Sequence, residues 1–206
     1  MNAISGLKIV VRYSLIPCHL GLCGPINKEE GQRLKDFLLN KKISANEIRK
    51  ILKKTKDAYR YCRQIAEKNS INDIFDIKVV EAYWTGNSLL KKLNNSNYHN
   101  FHVYQVAVLA PAKLRDVCRI SWGQIMEIKG DVIIVKYQPI IKVKNRFCFG
   151  EEKKKEISWD KTILPENLKI DDYISIHWKH AIERLSKKRL ANLIKYTELS
   201  LKPKTK

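Results

Sequence analysis

The chain has 206 residues, with 40 Lys+Arg against 21 Asp+Glu and a formal net charge of +19. Hydrophobic residues make up 44% and charged residues 30%, the balance of a globular chain with room for one or two domains. The longest apolar runs, such as Val106–Ala112, are far too short to cross a bilayer, no signal-peptide pattern opens the chain, and five irregularly spaced cysteines argue against a secreted disulfide framework; the expectation is a cytoplasmic protein.

Leu7–Leu15 is a short apolar run that fits a helix or a strand. Pro17, Gly21, Gly24 and Pro25 then impose a compact turn. Asn27 is placed to cap a helix reaching about Lys41, with Leu34, Phe37 and Leu38 on one face. Ser44 and Glu47 form a capping-box pattern before Ile48, Ile51 and Leu52. After a break, Tyr59, Cys62, Ile65 and Ala66 repeat at helical spacing. Asp73 or Asp76 caps a further helix through Val79, Val80, Tyr83 and Trp84, which Gly86 kinks or ends. Phe101–Leu109 has strand-like Val and Tyr content, although a helix also fits, and Pro111–Asp116 is the expected domain boundary.

The second half reads as β-rich. Val117–Ile128 and Asp131–Tyr137 are expected strands joined at Gly130. Ile140–Phe149 is another expected strand, Gly150–Lys155 a charged loop, and Ile157–Trp159 a short strand. Tyr173–His177 alternates as a strand does, and the end, from Ala181 through Leu185 to Thr197, reads as helical, with Ser186 able to cap its main part. The expectation is therefore an α+β protein. Residues 1–116 form a mainly helical domain, and residues 117–206 form a β-rich one that ends in a helix.

Cysteine and histidine cluster in several places: Cys18-His19 and Cys23 in one turn, His99-x-x-His102, and His177-x-x-His180. Thiolate with imidazole suits zinc, iron or nickel. No CxxC pair and no HExxH motif is present, so neither a zinc ribbon nor a zincin is indicated. No P-loop, dinucleotide fingerprint or nucleophile elbow appears either. Each cysteine and histidine also has an ordinary structural reading, as a small apolar filler or a hydrogen-bonding side chain.

The segment Cys118-Arg-Ile-Ser-Trp-Gly-Gln-Ile-Met-Glu-Ile, followed by Gly130-Asp-Val-Ile-Ile-Val, resembles the opening of the HypC/HupF family of small [NiFe]-hydrogenase maturation chaperones. Ile170-Asp-Asp-Tyr-Ile-Ser-Ile-His177, leading into Ala181-Ile-Glu-Arg-Leu, is similar to that family's late strand. The resemblance implies that residues 117–206 form a small HypC-like (OB-like) β-barrel with a C-terminal helix. It further implies that Cys118, supported by His177, handles an iron unit passed between a HypD-like scaffold and a hydrogenase large subunit. Two departures stand out: Cys118 is internal where the family cysteine opens the mature chain, and Trp122 replaces a proline. The first half does not match those chaperones. Its Leu20-Gly-Leu-Cys-Gly-Pro25, Val79-Val-Glu-Ala-Tyr-Trp-Thr-Gly-Asn87 and His99-Asn-Phe-His102 resemble motifs of an uncharacterised bacterial family that pairs a helical region with such an end.

Three functional readings follow. In the first, an accessory protein presents Cys118 and His177 to iron or to a partner, and Cys23, His99 and His102 are further candidate ligands from the helical half. In the second, a basic barrel binds single-stranded nucleic acid through aromatics such as Tyr137, Trp159 and Trp178. Against it, the balance of 20 basic to 10 acidic residues in 1–116, and 20 to 11 in 117–206, leaves the charge scattered, and no recognised nucleic-acid motif appears. In the third, a small-molecule enzyme uses Glu81 and Asn87, close in sequence to Tyr83 and Trp84.

Overall fold

The computed structural model describes residues 3–16, 27–106, 111–144 and 146–202. The chain divides into two compact units, Met1–Asn97 and Tyr98–Lys206. The division falls earlier than the expected 116/117 boundary, because the residues after Asn97 pack into the second unit.

The first unit is helical. Helix α1 (Ala3–Ser14) settles the ambiguity of its apolar run. Asn27 accepts from the Glu30 N–H and opens α2 (Lys28–Leu38), which stops short of Lys41 because Asn40 adopts the left-handed region. Ser44 caps α3 (Ala45–Lys53) through the Glu47 N–H, and α4 runs Lys56–Lys68. Asp76 caps α5 (Ile77–Trp84), while Asp73 caps the Phe75 N–H and takes a two-pronged ion pair from Arg49. The core stacks Tyr13 on Trp84 with ring centroids 4.7 Å apart. Gly6 lets α1 approach closely, since a Cβ there would collide with the Phe75 carbonyl oxygen. The expected turn at Pro17–Pro25 lies outside the described residues.

The second unit opens with three short helical pieces. They are α6 (His99–Phe101), a π-helical turn (His102–Val106) and α7 (Ala112–Cys118). Helix therefore replaces the strand-like alternative for Phe101–Val106, and α7 occupies the expected linker. Tertiary contacts override the local β propensity: Gln105 donates to the Ser200 and Lys202 carbonyls, and Arg115 donates to the Tyr104 carbonyl.

A closed barrel follows, made of β1 (Ser121–Lys129), β2 (Val132–Tyr137), β5 (Lys153–Ser158), β6 (Tyr173–His177) and β7 (His180–Arg184). Its order is β1-β2-β5-β7-β6, with β5 and β7 parallel and the other pairs antiparallel. Counted along the barrel strands alone the order is 1-2-3-5-4, the closed Greek-key arrangement expected of an OB-like barrel. Ile125, Ile133, Val135, Ile157, Ile174 and Ile176 fill it.

The remaining strands, β3 (Ile140–Val143) and β4 (Arg146–Phe149), form a separate hairpin where one strand was expected. The expected loop at Lys153–Lys155 lies in β5, and Ala181–Ile182 lie in β7, not in a helix. The β6–β7 turn hides this strand in the sequence. Its two residues, Trp178 (φ 50) and Lys179 (φ 66), both take the left-handed region that usually calls for Asn-Gly. Ser186 then caps α8 (Lys187–Leu201) through the Arg189 N–H.

Candidate metal centre in the barrel unit

Cys118 is the last residue of α7, His177 is the last residue of β6, and His99 is the first residue of α6. Their ligand atoms all lie within 4.8 Å of one another. The relative exposures are 4%, 0% and 3%, so the cluster is shielded from solvent. The two imidazoles meet edge to face with centroids 5.4 Å apart.

Backbone geometry brings these residues together. The Trp178 N–H donates to the Val117 carbonyl at 3.0 Å, which ties the β6–β7 turn to the end of α7. The left-handed turn is what presents that N–H, and two non-glycine residues held there carry strain of order 1 kcal/mol each. Pairing of Ser121 with Ile176 continues the same join into the sheet.

Asn100, the neighbour of His99, makes the second tie. Its Oδ1 accepts from the Ile120 N–H at 2.7 Å, and its Nδ2 donates to the Ile120 carbonyl at 2.8 Å and to Thr197 Oγ1 at 2.9 Å. Asn100 is fully buried, and these bonds fix α6 against the segment that follows Cys118 and against α8. His99 Nδ1 lies 3.4 Å from Asn100 Oδ1, so a proton on Nδ1 leaves Nε2 as the ring's lone-pair donor.

Beside the cluster lies a buried charge network. The Arg119 Nε donates to Asp116 Oδ1 at 3.0 Å, and its Nη2 donates to the Gln138 carbonyl at 2.6 Å. Tyr137 donates to Asp116 Oδ2 at 2.6 Å, and the Ile140 N–H donates to Asp116 Oδ1. Burial pushes the Asp116 carboxyl up, but Arg119 and the Tyr137 and Ile140 donors outweigh it and hold the group below its ordinary value. Lys155 faces the barrel interior from β5, with Nζ 3.9 Å from the centre of the Tyr137 ring. Burial pulls its ammonium down to about 8; Asp116 opposes this, and the nearby cations Arg119, Lys153 and Lys179 add to it.

Among the described residues, the triad includes none of the other candidates. His102 lies one turn beyond His99 and is partly exposed, its ring edge-on to Phe101. Cys23 lies outside the described residues. Glu81 and Asn87 belong to the first unit. Asn87 caps a 3-10 turn (Ser88–Leu93) through the Leu89 N–H and donates to the Lys78 carbonyl at 2.7 Å, an architectural role. Tyr137, Trp159 and Trp178 are 1%, 7% and 9% exposed, too buried to stack nucleobases. Sequence reasoning missed Asn100 and the Asp116–Arg119 network. The only signal is the i,i+3 spacing of Asp116 and Arg119, which straddles the end of the expected domain boundary and the start of the expected strand.

The donor set fits a soft or borderline transition metal. One thiolate and two imidazoles match zinc, iron, cobalt, nickel or copper, and three protein ligands leave coordination positions for a further group. Over residues 2–101 and 94–205 the chain matches the model of Family of unknown function (DUF6390), and it belongs to that family. No curated protein and no solved structure matches it. None of these findings extends to the HypC/HupF chaperones.

Proposed function

We propose that this DUF6390 member is a metal-handling accessory protein of the hydrogenase-maturation kind, with iron as the first candidate cargo. The observation that carries the reading is the buried convergence of Cys118, His177 and His99. Two of these residues were singled out by the HypC/HupF resemblance, and the third arrives from an element outside it. Cys118 would supply the thiolate, and the two histidines would supply neutral imidazoles. Asn100 would orient His99, and the Trp178–Val117 bond would position His177. A site so enclosed favours retention of the ion over free exchange. A HypD-like scaffold or a hydrogenase large subunit is the proposed source or recipient.

The test is metal content after anaerobic purification from cells co-expressing hydrogenase maturation factors, for wild type and Cys118→Ala. Stoichiometric iron in wild type and its loss in the variant support the reading, and infrared bands of cyanide and carbonyl would identify the cargo. Equal metal content in both proteins would overturn it.

A further inference from the structure

A groove of about 410 Å³ runs along the outer face of the barrel, between β1, β2, β6, the β4 strand and α8. Strand register sets its floor: on the outward face, Gln124 of β1 stands between Lys136 of β2 and Tyr173 of β6. The half-buried rings of Trp122, Phe149 and Tyr173 line the groove, with Leu190 and Ile194, one turn apart on α8, as its apolar wall. It shares no residue with the metal centre and lies wholly within the second unit.

Its local charge opposes that of the chain. In a protein of net charge +19, the groove carries Glu152 and Glu198 against Lys136, and a third carboxylate, Asp171, accepts from the Gln124 amide. Lys136 Nζ pairs with Glu152 Oε2 at 3.4 Å, so the groove's own cation is already matched. Glu198 is exposed, and among the described residues no cation pairs with it. Gln124 and Gln138 donate their amide N–H groups to Asp171 and to the Gly150 carbonyl, at 3.2 Å each, which leaves their side-chain oxygens as acceptors.

These groups define what fits. An anion would meet carboxylates. A quaternary ammonium would leave the acceptors unmatched, whereas a cation bearing several N–H donors satisfies them and gains from the ring faces. Flat aromatic walls further favour a planar, delocalised cation over a compact ammonium. Inside the protein the Arg119 guanidinium already lies 5.5 Å from the Trp122 ring centre, and among the described residues the Phe149 and Tyr173 rings have no cation over them. The volume falls within the range of about 300–1,000 Å³ usual for small-molecule pockets.

We infer that this groove binds a small organic cation with a planar guanidinium or amidinium head on an apolar body. The head pairs with Glu198 and the two glutamine oxygens, and the body lies between the aromatic rings and the α8 wall. The inference is independent of the metal reading.

The experiment is isothermal titration calorimetry of the full chain with three probes of similar size at low salt: benzamidine, its neutral isostere benzamide, and phenyltrimethylammonium, a cation without donors. The expected result is binding of benzamidine, with each of the other two weaker by about tenfold or more. Glu198→Gln, an exposed change that keeps the shape, should weaken benzamidine by about tenfold. Lys136→Met should tighten it several-fold by releasing Glu152. Trp122→Ala should weaken it and Trp122→Phe should recover part of the loss, while Cys118→Ala should bind as wild type does. No heat of binding with benzamidine overturns the inference. Equal binding of benzamide overturns it too, because the groove would then be a neutral apolar site, and so does benzamidine binding untouched by both Glu198→Gln and Lys136→Met.

Discussion

Replacing Asn100 by alanine removes the side chain that clamps α6 to the segment after Cys118. The Ile120 N–H and carbonyl both lose their partner, at a residue with no solvent exposure. Each buried group left unsatisfied costs about 1–3 kcal/mol, so the expected loss is about 2–6 kcal/mol of unfolding free energy. Thr197 keeps its own bond to the Leu193 carbonyl and adds little. The same change frees His99 to reorient, and loss of such an outer partner lowers metal affinity by about 10–100-fold. Urea unfolding followed by circular dichroism measures the first effect. Competition against a chelator, under conditions where the variant is fully folded, measures the second. Asn87→Ala is the control: it removes a cap in the first unit, about 0.5–2 kcal/mol, and should leave metal affinity unchanged. An Asn100→Ala protein that loses less than about 0.5 kcal/mol, or that loses stability with unaltered affinity, would refute the reasoning.

Further predictions concern the charge network, a thiol and a turn. Asp116 has a folded pKa below its unfolded value, so its stabilisation is present above the ordinary carboxylate range and is lost as pH falls through the folded value. Asp116→Asn should therefore flatten the acid limb of a melting-temperature profile; an unchanged limb would remove Asp116 from the account. Asp116→Ala should cost about 3–5 kcal/mol, because it leaves the Arg119 charge buried and uncompensated. Cys62 is fully buried, and burial pushes its thiol up to about 12. Iodoacetamide at mildly alkaline pH should therefore modify the partly exposed Cys148 long before Cys62, as read by peptide mass mapping, and fast labelling of native Cys62 would contradict the α4 packing. Lys179 is exposed and sits at φ 66, so Lys179→Gly should raise stability by about 0.5–1 kcal/mol in thermal melts, whereas a loss would show that the turn is not strained there.

Much of the architecture was legible because local chemistry and tertiary structure agree. Asn27, Ser44, Asp76 and Ser186 each cap the helix their spacing announces. Gly130 marks the β1–β2 turn with φ 60. Legibility failed where tertiary contacts overrule local preference. The β6–β7 turn uses Trp178 and Lys179 where Asn-Gly would have been recognisable, so β7 read as the start of a helix. Val103 and Tyr104 favour strands, yet they lie in a helical turn whose Gln105 is anchored on the Ser200 carbonyl and whose Tyr104 carbonyl accepts from Arg115. At the site, the HypC/HupF resemblance pointed to Cys118 and His177, and residue type kept His99 among several alternatives. Choosing His99 over His102 needed the backbone, because the two differ by about one helical turn and only His99 lies beside the Asn100–Ile120 clamp. Asn100 itself carries no sequence signal, since its partner is a backbone peptide.

The most direct test of the central claim is an anaerobic Co²⁺ titration of the full chain, read as thiolate-to-metal charge-transfer absorption, beside Cys118→Ser, His99→Ala and His177→Ala. The account predicts stoichiometric uptake with a charge-transfer band. That band should vanish in Cys118→Ser, and binding should weaken in each histidine variant. No band in wild type, or a band untouched by Cys118→Ser, would contradict it and leave the three residues as packed core of the barrel unit.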